Sequence, residues 1–201
     1  MKNKIPVVLI YSRLVFVAII VLLSIFKPAH FQVTAVVLIA LGLLTDIFDG
    51  IIARHLKIST EKLRRMDSTV DQFFWLCIIG CAYIASPGFF KMHYIAIVIV
   101  LMLEGFCYLL SFIKFRKEVA THAIASKIWT LSLFAFLIQL ILTGNSVFLF
   151  YVCIYLGIAT RLEIIAILFI LNSWTNDVPS VYHAVLIRKG KVIKKHKLFN
   201  G

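Results

Sequence analysis

Four aspartates lie close together in the sequence, in two pairs with helical spacing. Asp46 and Asp49 are three residues apart, and Asp67 and Asp71 are four residues apart. Each pair therefore occupies one face of a helix. Both pairs lie in or beside strongly apolar segments, where an ionised carboxylate costs roughly 3 kcal/mol or more. Carboxylate oxygens are ligands that hard divalent cations prefer, so the pattern predicts a site for one or two such ions.

The composition is that of an integral membrane protein. The chain has 201 residues, 62% of them hydrophobic, and a mean hydropathy of +0.99. A soluble domain usually has about half apolar residues. The apolar residues come in runs of about 20, which is long enough for a helix to cross the hydrocarbon core of a bilayer. These observations exclude an ordinary soluble domain.

Hydropathy predicts an all-α fold with six transmembrane helices. We expect residues 1–171 to form a six-helix transmembrane domain, which carries the candidate site, and residues 172–201 a basic cytoplasmic tail. A polar loop is expected between the second and third spans, at 54–65. The predicted spans are residues 5–26, 31–53, 66–85, 90–113, 125–142 and 147–171.

The distribution of basic residues predicts the orientation. The net charge of +12 is concentrated at the N-terminus, in the loops after the second and fourth spans, and in the tail, whereas the opposite side has only Lys27 and Lys91. Cytoplasmic segments carry the excess of Lys and Arg, so both termini are expected in the cytoplasm. The two acidic pairs then lie at the same depth, near the cytoplasmic ends of neighbouring antiparallel helices. Nucleic-acid binding is not expected, because the charge follows the membrane topology and no recognition fold accompanies it.

Two small residues share a helical face with the first acidic pair. Gly50 and Ala53 continue the stripe of Asp46 and Asp49. Small residues beside carboxylates leave room for a ligand, although they also permit close packing of membrane helices. A second alternative for the acids is ion pairing near the surface with Arg54, Arg64 or Arg65.

The string Asp46-x-x-Asp49-Gly50-x-x-Ala53-Arg54, followed by Asp67-x-x-x-Asp71, resembles the signature of the CDP-alcohol phosphatidyltransferases. The resemblance extends to the six spans and the cytoplasmic termini. It departs at Leu63, where the family pattern has a glycine close to the bound cytidine nucleotide. The amphipathic helix that often precedes the first span in this family is also not predicted here.

This resemblance implies an activity and a set of site residues. The enzyme would transfer a phosphatidyl group from CDP-diacylglycerol to a small alcohol and release CMP, using two divalent ions, Mg²⁺ or Mn²⁺. It would be a multi-pass protein of the inner (cytoplasmic) membrane with its active site at the cytoplasmic face, and family members are often homodimers. The metal ligands would be Asp46, Asp49, Asp67 and Asp71, with Asp71 also the general base, and the donor nucleotide would be contacted by Gly50, Ala53 and Arg54.

Three basic residues within the spans suggest an acceptor that carries a phosphate. Intramembrane cations favour a functional role with a named partner, and Arg13, Lys127 and Arg161 are candidates for binding that phosphate. The segment 126–130 has a short resemblance to phosphatidylglycerophosphate synthases, so glycerol 3-phosphate is the first expected acceptor, before inositol or its phosphate and serine. The alternatives are pairing of Arg161 with Glu104 and snorkelling of the Lys127 side chain.

Two other function classes fit parts of the pattern. In an ion-coupled carrier the acids would form a cation site, although such sites lie near the bilayer midplane between inverted repeats. A family member that has lost catalysis would keep the fold as an assembly partner, and Leu63 is the residue that favours this alternative.

Overall fold

The computed structural model describes residues 5–56, 58, 60–117, 119, 124–175 and 178–191, without the side chains of Arg54, Glu61, Lys62, Arg64 and Arg65. Over these ranges the protein consists of eight helices and no strands, which confirms the predicted all-α class. The helices are α1 (Ile5–Phe26), α2 (Phe31–His55), α3 (Glu61–Ala85), α4 (Pro87–Met92), α5 (Tyr94–Phe115), α6 (Ile124–Thr143), α7 (Val147–Ile170) and α8 (Val181–Arg188).

Six of the described helices are long and apolar enough to cross a membrane, as predicted. They are α1, α2, α5, α6 and α7, together with α3 from Met66 onward. The fourth span begins at Tyr94 rather than at residue 90, because the short helix α4 precedes it. α3 ends where the backbone N–H of Ser86 donates to the carbonyl of Ala82, and Pro87 then occupies the first position of α4, which proline tolerates.

The connection between α2 and α3 is shorter than the predicted loop at 54–65. α2 continues to His55, and α3 already begins at Glu61. Thr60 caps α3, because its Oγ1 accepts a hydrogen bond from the backbone N–H of Leu63 at 3.2 Å. This cap satisfies one of the free N–H groups in the first helical turn, so the polar composition of the segment did not prevent helix formation.

The chain divides into two compact units. In the first unit, which comprises residues 1–90 and 137–145, α1 packs against both α2 and α3, whereas α2 and α3 touch each other at few positions. The face that α1 buries follows helical spacing and has a single charged residue. Its members are Pro6, Ile10, Arg13, Val17, Ile20 and Ser24.

Gly42 permits α2 and α3 to approach each other beside the acidic residues. A Cβ atom at Gly42 would lie 2.2 Å from Cζ of Phe74, whose ring is buried in the core. Gly42 precedes Asp46 by one helical turn, and Phe74 follows Asp71 by about one turn. This close contact therefore helps to set the distance between the two acidic faces.

The second unit comprises residues 91–136 and 146–201, and in it α7 packs against α5 and α8. α8 lies in the segment predicted as a basic tail, and its Ala184 joins an apolar cluster with Ile167, Leu171 and Val178. Nζ of Lys114 donates to the carbonyls of Leu168 and Phe169 at 2.8 and 3.0 Å. These carbonyls belong to the last turn of α7, where the helix itself has no N–H groups left to donate to them. Residues 176, 177 and 192–201 of the predicted tail lie outside the described residues.

We predict that Gly42→Ala destabilises the protein, because the added methyl group forces the buried Phe74 ring to move. Overpacking of this kind costs about 1–3 kcal/mol. The matched control is Gly80→Ala on α3, where a Cβ would meet no atom within 4 Å and the helix propensity of alanine favours the variant by up to about 1 kcal/mol. Thermal unfolding in detergent, followed by circular dichroism, should give a lower midpoint for Gly42→Ala alone. Equal midpoints for the two variants would contradict the packing role of Gly42.

Candidate metal centre

The guanidinium group of Arg13 lies among the four aspartates of the sequence motif. Its Nη1 donates to Oδ1 of Asp46 at 2.7 Å, and its Nη2 donates to Oδ2 of Asp49 at 2.6 Å. Nη2 also donates to Oδ1 of Asp67. Oδ1 of Asp71 lies 3.6 Å from Nη1, within ion-pair distance. One cation from α1 therefore joins carboxylates from α2 and α3.

These charged side chains differ in their access to solvent and lipid. Arg13 is completely buried, and the side chain of Asp49 is 3% exposed. The side chains of Asp46, Asp67 and Asp71 are each about one third exposed. The cluster is thus closed on the side of Arg13 and Asp49 and open on the side of the other three carboxylates.

The packing of three helices accounts for this arrangement. Arg13 belongs to the buried face of α1, which lies against both α2 and α3. The i, i+3 and i, i+4 spacings turn each acidic pair towards that face. The sequence reasoning placed the acids together but assigned Arg13 to the acceptor, so it missed the contacts of Arg13 with them. A sequence signal for this pairing does exist. In the predicted topology Arg13 lies at a depth in the membrane similar to that of the four acids.

Three of the four predicted metal ligands have oxygens close enough to hold one ion. One carboxylate oxygen from each of Asp46, Asp49 and Asp67 lies within 4.8 Å of the others. Oxygens on opposite sides of a divalent ion are separated by about twice the metal–oxygen distance of 2.0–2.6 Å, so this spacing fits. Asp71 is outside this group of three and meets the cluster through Arg13. An all-oxygen, anionic donor set is suited to Mg²⁺ or Mn²⁺.

A small cleft adjoins the carboxylates. It has a volume of about 30 Å³, room for about two water molecules, so a larger ligand must widen it or extend beyond it. Gly50 and Ala53, the predicted nucleotide-contacting residues, both line the cleft, while the side chain of Arg54 lies outside the described part. Leu63 also lines it. The complete lining is Pro6, Ile10, Asp49, Gly50, Ala53, Leu63 and Asp67.

The other two predicted acceptor-binding residues belong to the second unit. Nε of Arg161 donates to Oε2 of Glu104 at 2.7 Å, which is the pairing offered above as the alternative to a functional role. The guanidinium also lies 3.7 Å above the ring of Trp129, a favourable cation–π geometry. Nη1 of Arg161 is buried and has no hydrogen-bond partner among the described residues. Lys127 lies in the first turn of α6. A role for either residue in acceptor binding stays a prediction.

Comparison with known proteins identifies a family. The sequence model of the CDP-alcohol phosphatidyltransferases matches residues 3–171, which include all six candidate spans and the acidic cluster. A search of curated proteins and a search of solved structures found no match.

We predict that Asp49→Asn weakens the binding of Mn²⁺, because it removes the most buried of the three converging carboxylates. We expect the affinity to fall at least about 10- to 100-fold, because mutation of residues that only hydrogen-bond to metal ligands already causes losses in this range. Glu163→Gln, which removes a carboxylate from α7, is the control. Mn²⁺ titration of the purified protein, followed by electron paramagnetic resonance of the free ion, measures the affinity. An unchanged affinity in Asp49→Asn would remove this carboxylate from the ligand set.

Proposed function

The chain belongs to the CDP-alcohol phosphatidyltransferase family, and we propose that it transfers a phosphatidyl group from CDP-diacylglycerol to glycerol 3-phosphate. Members of this family are transferases for substituted phosphate groups and act in phospholipid synthesis with a CDP-alcohol donor. The observation that carries the proposal is the convergence of three carboxylates within 4.8 Å, beside a fourth.

The proposed reaction exchanges one phosphorus–oxygen bond for another. A hydroxyl oxygen of the acceptor attacks the phosphorus that carries the diacylglycerol, and the bond from that phosphorus to the CMP oxygen breaks. CMP takes the electron pair of the broken bond, and the hydroxyl proton passes to a base. Positioning and charge neutralisation supply most of the rate enhancement in such transfers.

Each acidic residue has a place in this proposal. Asp46, Asp49 and Asp67 would hold the divalent metal, and the metal would supply charge neutralisation for the diphosphate and the leaving CMP. We assign Asp71 as the base that accepts the hydroxyl proton. Its side chain is about one third exposed, and its Oδ1 is 3.6 Å from Arg13, a looser contact than those of the other acids. An oxygen of Asp71 is therefore accessible to an acceptor.

The cleft beside the carboxylates is the proposed position for the nucleotide of the donor. Gly50 and Ala53 line it without bulky side chains, so a ligand can approach the backbone of α2. Leu63 narrows the same cleft, which makes it a candidate determinant of nucleotide fit.

We also propose that the site faces the cytoplasm. The excess of Lys and Arg in the terminal segments and in two of the loops supports this orientation. A site at the membrane interface can receive a lipid donor from the bilayer and a water-soluble acceptor from the adjoining solvent. The six apolar helices are consistent with a multi-pass membrane protein.

The basic residues support a phosphorylated acceptor. Arg161 has a buried Nη1 without a hydrogen-bond partner in the described part of the chain, and Lys127 lies two residues before Trp129, the ring that stacks on Arg161. These groups favour glycerol 3-phosphate over serine, with inositol or inositol phosphate as the next candidates.

The decisive experiment is a reaction of the purified protein with labelled CDP-diacylglycerol, Mg²⁺ and a panel of alcohols. We expect CMP release only when an accepted alcohol is present, and most with glycerol 3-phosphate. CMP release that depends on another alcohol would identify that alcohol as the acceptor in place of glycerol 3-phosphate. Transport of a substrate without nucleotide cleavage would support a carrier, and the absence of any turnover would support a family member that has lost catalysis.

We predict that Asp71→Asn lowers kcat by about 10²- to 10⁴-fold, the usual contribution of a general base. Asparagine has nearly the same shape but cannot accept the hydroxyl proton. The unfolding midpoint of the variant in detergent serves as the control for folding. A rate close to that of the wild type would remove Asp71 from the role of base.

We predict that Lys127→Gln raises the KM for glycerol 3-phosphate and leaves the KM for CDP-diacylglycerol unchanged. Loss of a charge-assisted hydrogen bond of about 1.5–3 kcal/mol corresponds to roughly 10- to 100-fold in KM. Lys114→Gln is the matched control, since Nζ of Lys114 is bonded to carbonyls of α7. Equal changes in the two KM values for Lys127→Gln would argue against a phosphate contact.

A further inference from the structure

We infer that Arg13 is an internal counter-ion that competes with the divalent metal for the oxygens of Asp46, Asp49 and Asp67. This inference rests on the proposed function only in taking these three residues as the metal ligands. It replaces the acceptor-binding role predicted for Arg13 from the sequence with a role in setting metal affinity.

Arg13 contacts the same three carboxylates that a metal would use. Its two terminal nitrogens donate to one oxygen of each of the three carboxylates. The same residues form the group whose oxygens lie within 4.8 Å of one another. An ion held by oxygens of these three carboxylates would lie close to both terminal nitrogens of Arg13, so binding both at once brings two positive charges together. Arg13 in this position and a bound ion therefore disfavour each other.

Electrostatics reinforces this competition. The guanidinium is completely buried, so solvent screens its repulsion of a nearby divalent ion only weakly. Arginine also stays protonated at any physiological pH. Arg13 therefore cannot relieve the repulsion by losing its proton, and the relief must come from movement of its side chain.

Asp71 provides a partner for a guanidinium that moves. Its Oδ1 lies 3.6 Å from Nη1 of Arg13 and lies outside the group of three converging oxygens. A small shift of the guanidinium would bring it to Oδ1 of Asp71 and free oxygens of Asp49 and Asp67, while the second oxygen of Asp71 stays available for the hydroxyl proton of the proposed reaction. Arg13 would then lower the metal affinity and keep the carboxylates neutralised whenever the metal is not bound.

The test is a comparison of Mn²⁺ affinity among purified variants of the full chain in detergent, in the absence of substrates. We expect Arg13→Gln to bind Mn²⁺ at least tenfold more tightly than the wild type, because it removes the competing charge and keeps a polar side chain. Arg161→Gln, which removes a buried arginine from an ion pair with Glu104, should leave the affinity unchanged. Equal or weaker binding by Arg13→Gln overturns the inference, as does the absence of Mn²⁺ binding in the wild type and all variants.

A charge-balanced pair of variants keeps the test valid if Arg13→Gln fails to fold. Asp71→Asn retains Arg13 and the three converging carboxylates. The double variant Arg13→Gln/Asp71→Asn removes one positive and one negative charge, so the cluster keeps the net charge of the wild type. Tighter Mn²⁺ binding by the double variant than by Asp71→Asn supports competition, and equal affinities overturn it.

The result can be separated from that of the proposed function. If Arg13→Gln binds Mn²⁺ more tightly but the wild type releases no CMP, the competition is supported and the proposed enzyme activity is refuted. CMP release by the wild type with unchanged Mn²⁺ affinity in Arg13→Gln would leave the activity intact and refute competition.

Discussion

The structure of the first unit depends on the ion pairs between one buried arginine on α1 and the aspartates on α2 and α3. An unpaired ionised carboxylate or guanidinium within a membrane span costs roughly 2.5–3.5 kcal/mol or more. Breaking a buried ion pair by removing one partner costs about 3–5 kcal/mol. Because Arg13 meets carboxylates from both helices, its full set of ion pairs forms only when α1 lies against α2 and α3 together. The cluster thus connects the packing of three helices to the chemistry of the site.

Close packing supports the same arrangement. Membrane helices gain little from burying apolar surface against each other, because lipid tails are equally apolar, so small residues and polar contacts determine which helices associate. Gly42 admits the ring of Phe74 at a distance that no side chain would permit. This contact lies about one turn from both acidic pairs. The contact of Gly42 with Phe74 and the ion pairs of Arg13, about one turn further along, therefore favour the same relative position of α2 and α3.

Much of this arrangement could be predicted from the sequence because it depends on local patterns. Hydropathy identified six spans, and the spacing of the aspartates indicated which faces they share. The order in which helices pack is not a local property, so the pairing of Arg13 with the acids was missed. The predicted loop at 54–65 was too long, because Thr60 caps a helix that begins among polar residues. The ion pair of Arg161 with Glu104 was considered as an alternative and is observed, while its acceptor role stays a prediction.

The two buried arginines differ in how their charge is balanced. Arg161 has one carboxylate partner, Glu104, and an aromatic ring beneath it, so that pair is formally neutral. Arg13 lies within ion-pair distance of four carboxylates, which leaves a formal charge of −3 if all are ionised. A membrane helix bundle has no structural need for such an excess, since one acid would have balanced the arginine. Either protons or further cations must compensate it, and the converging oxygens of Asp46, Asp49 and Asp67 favour a divalent cation.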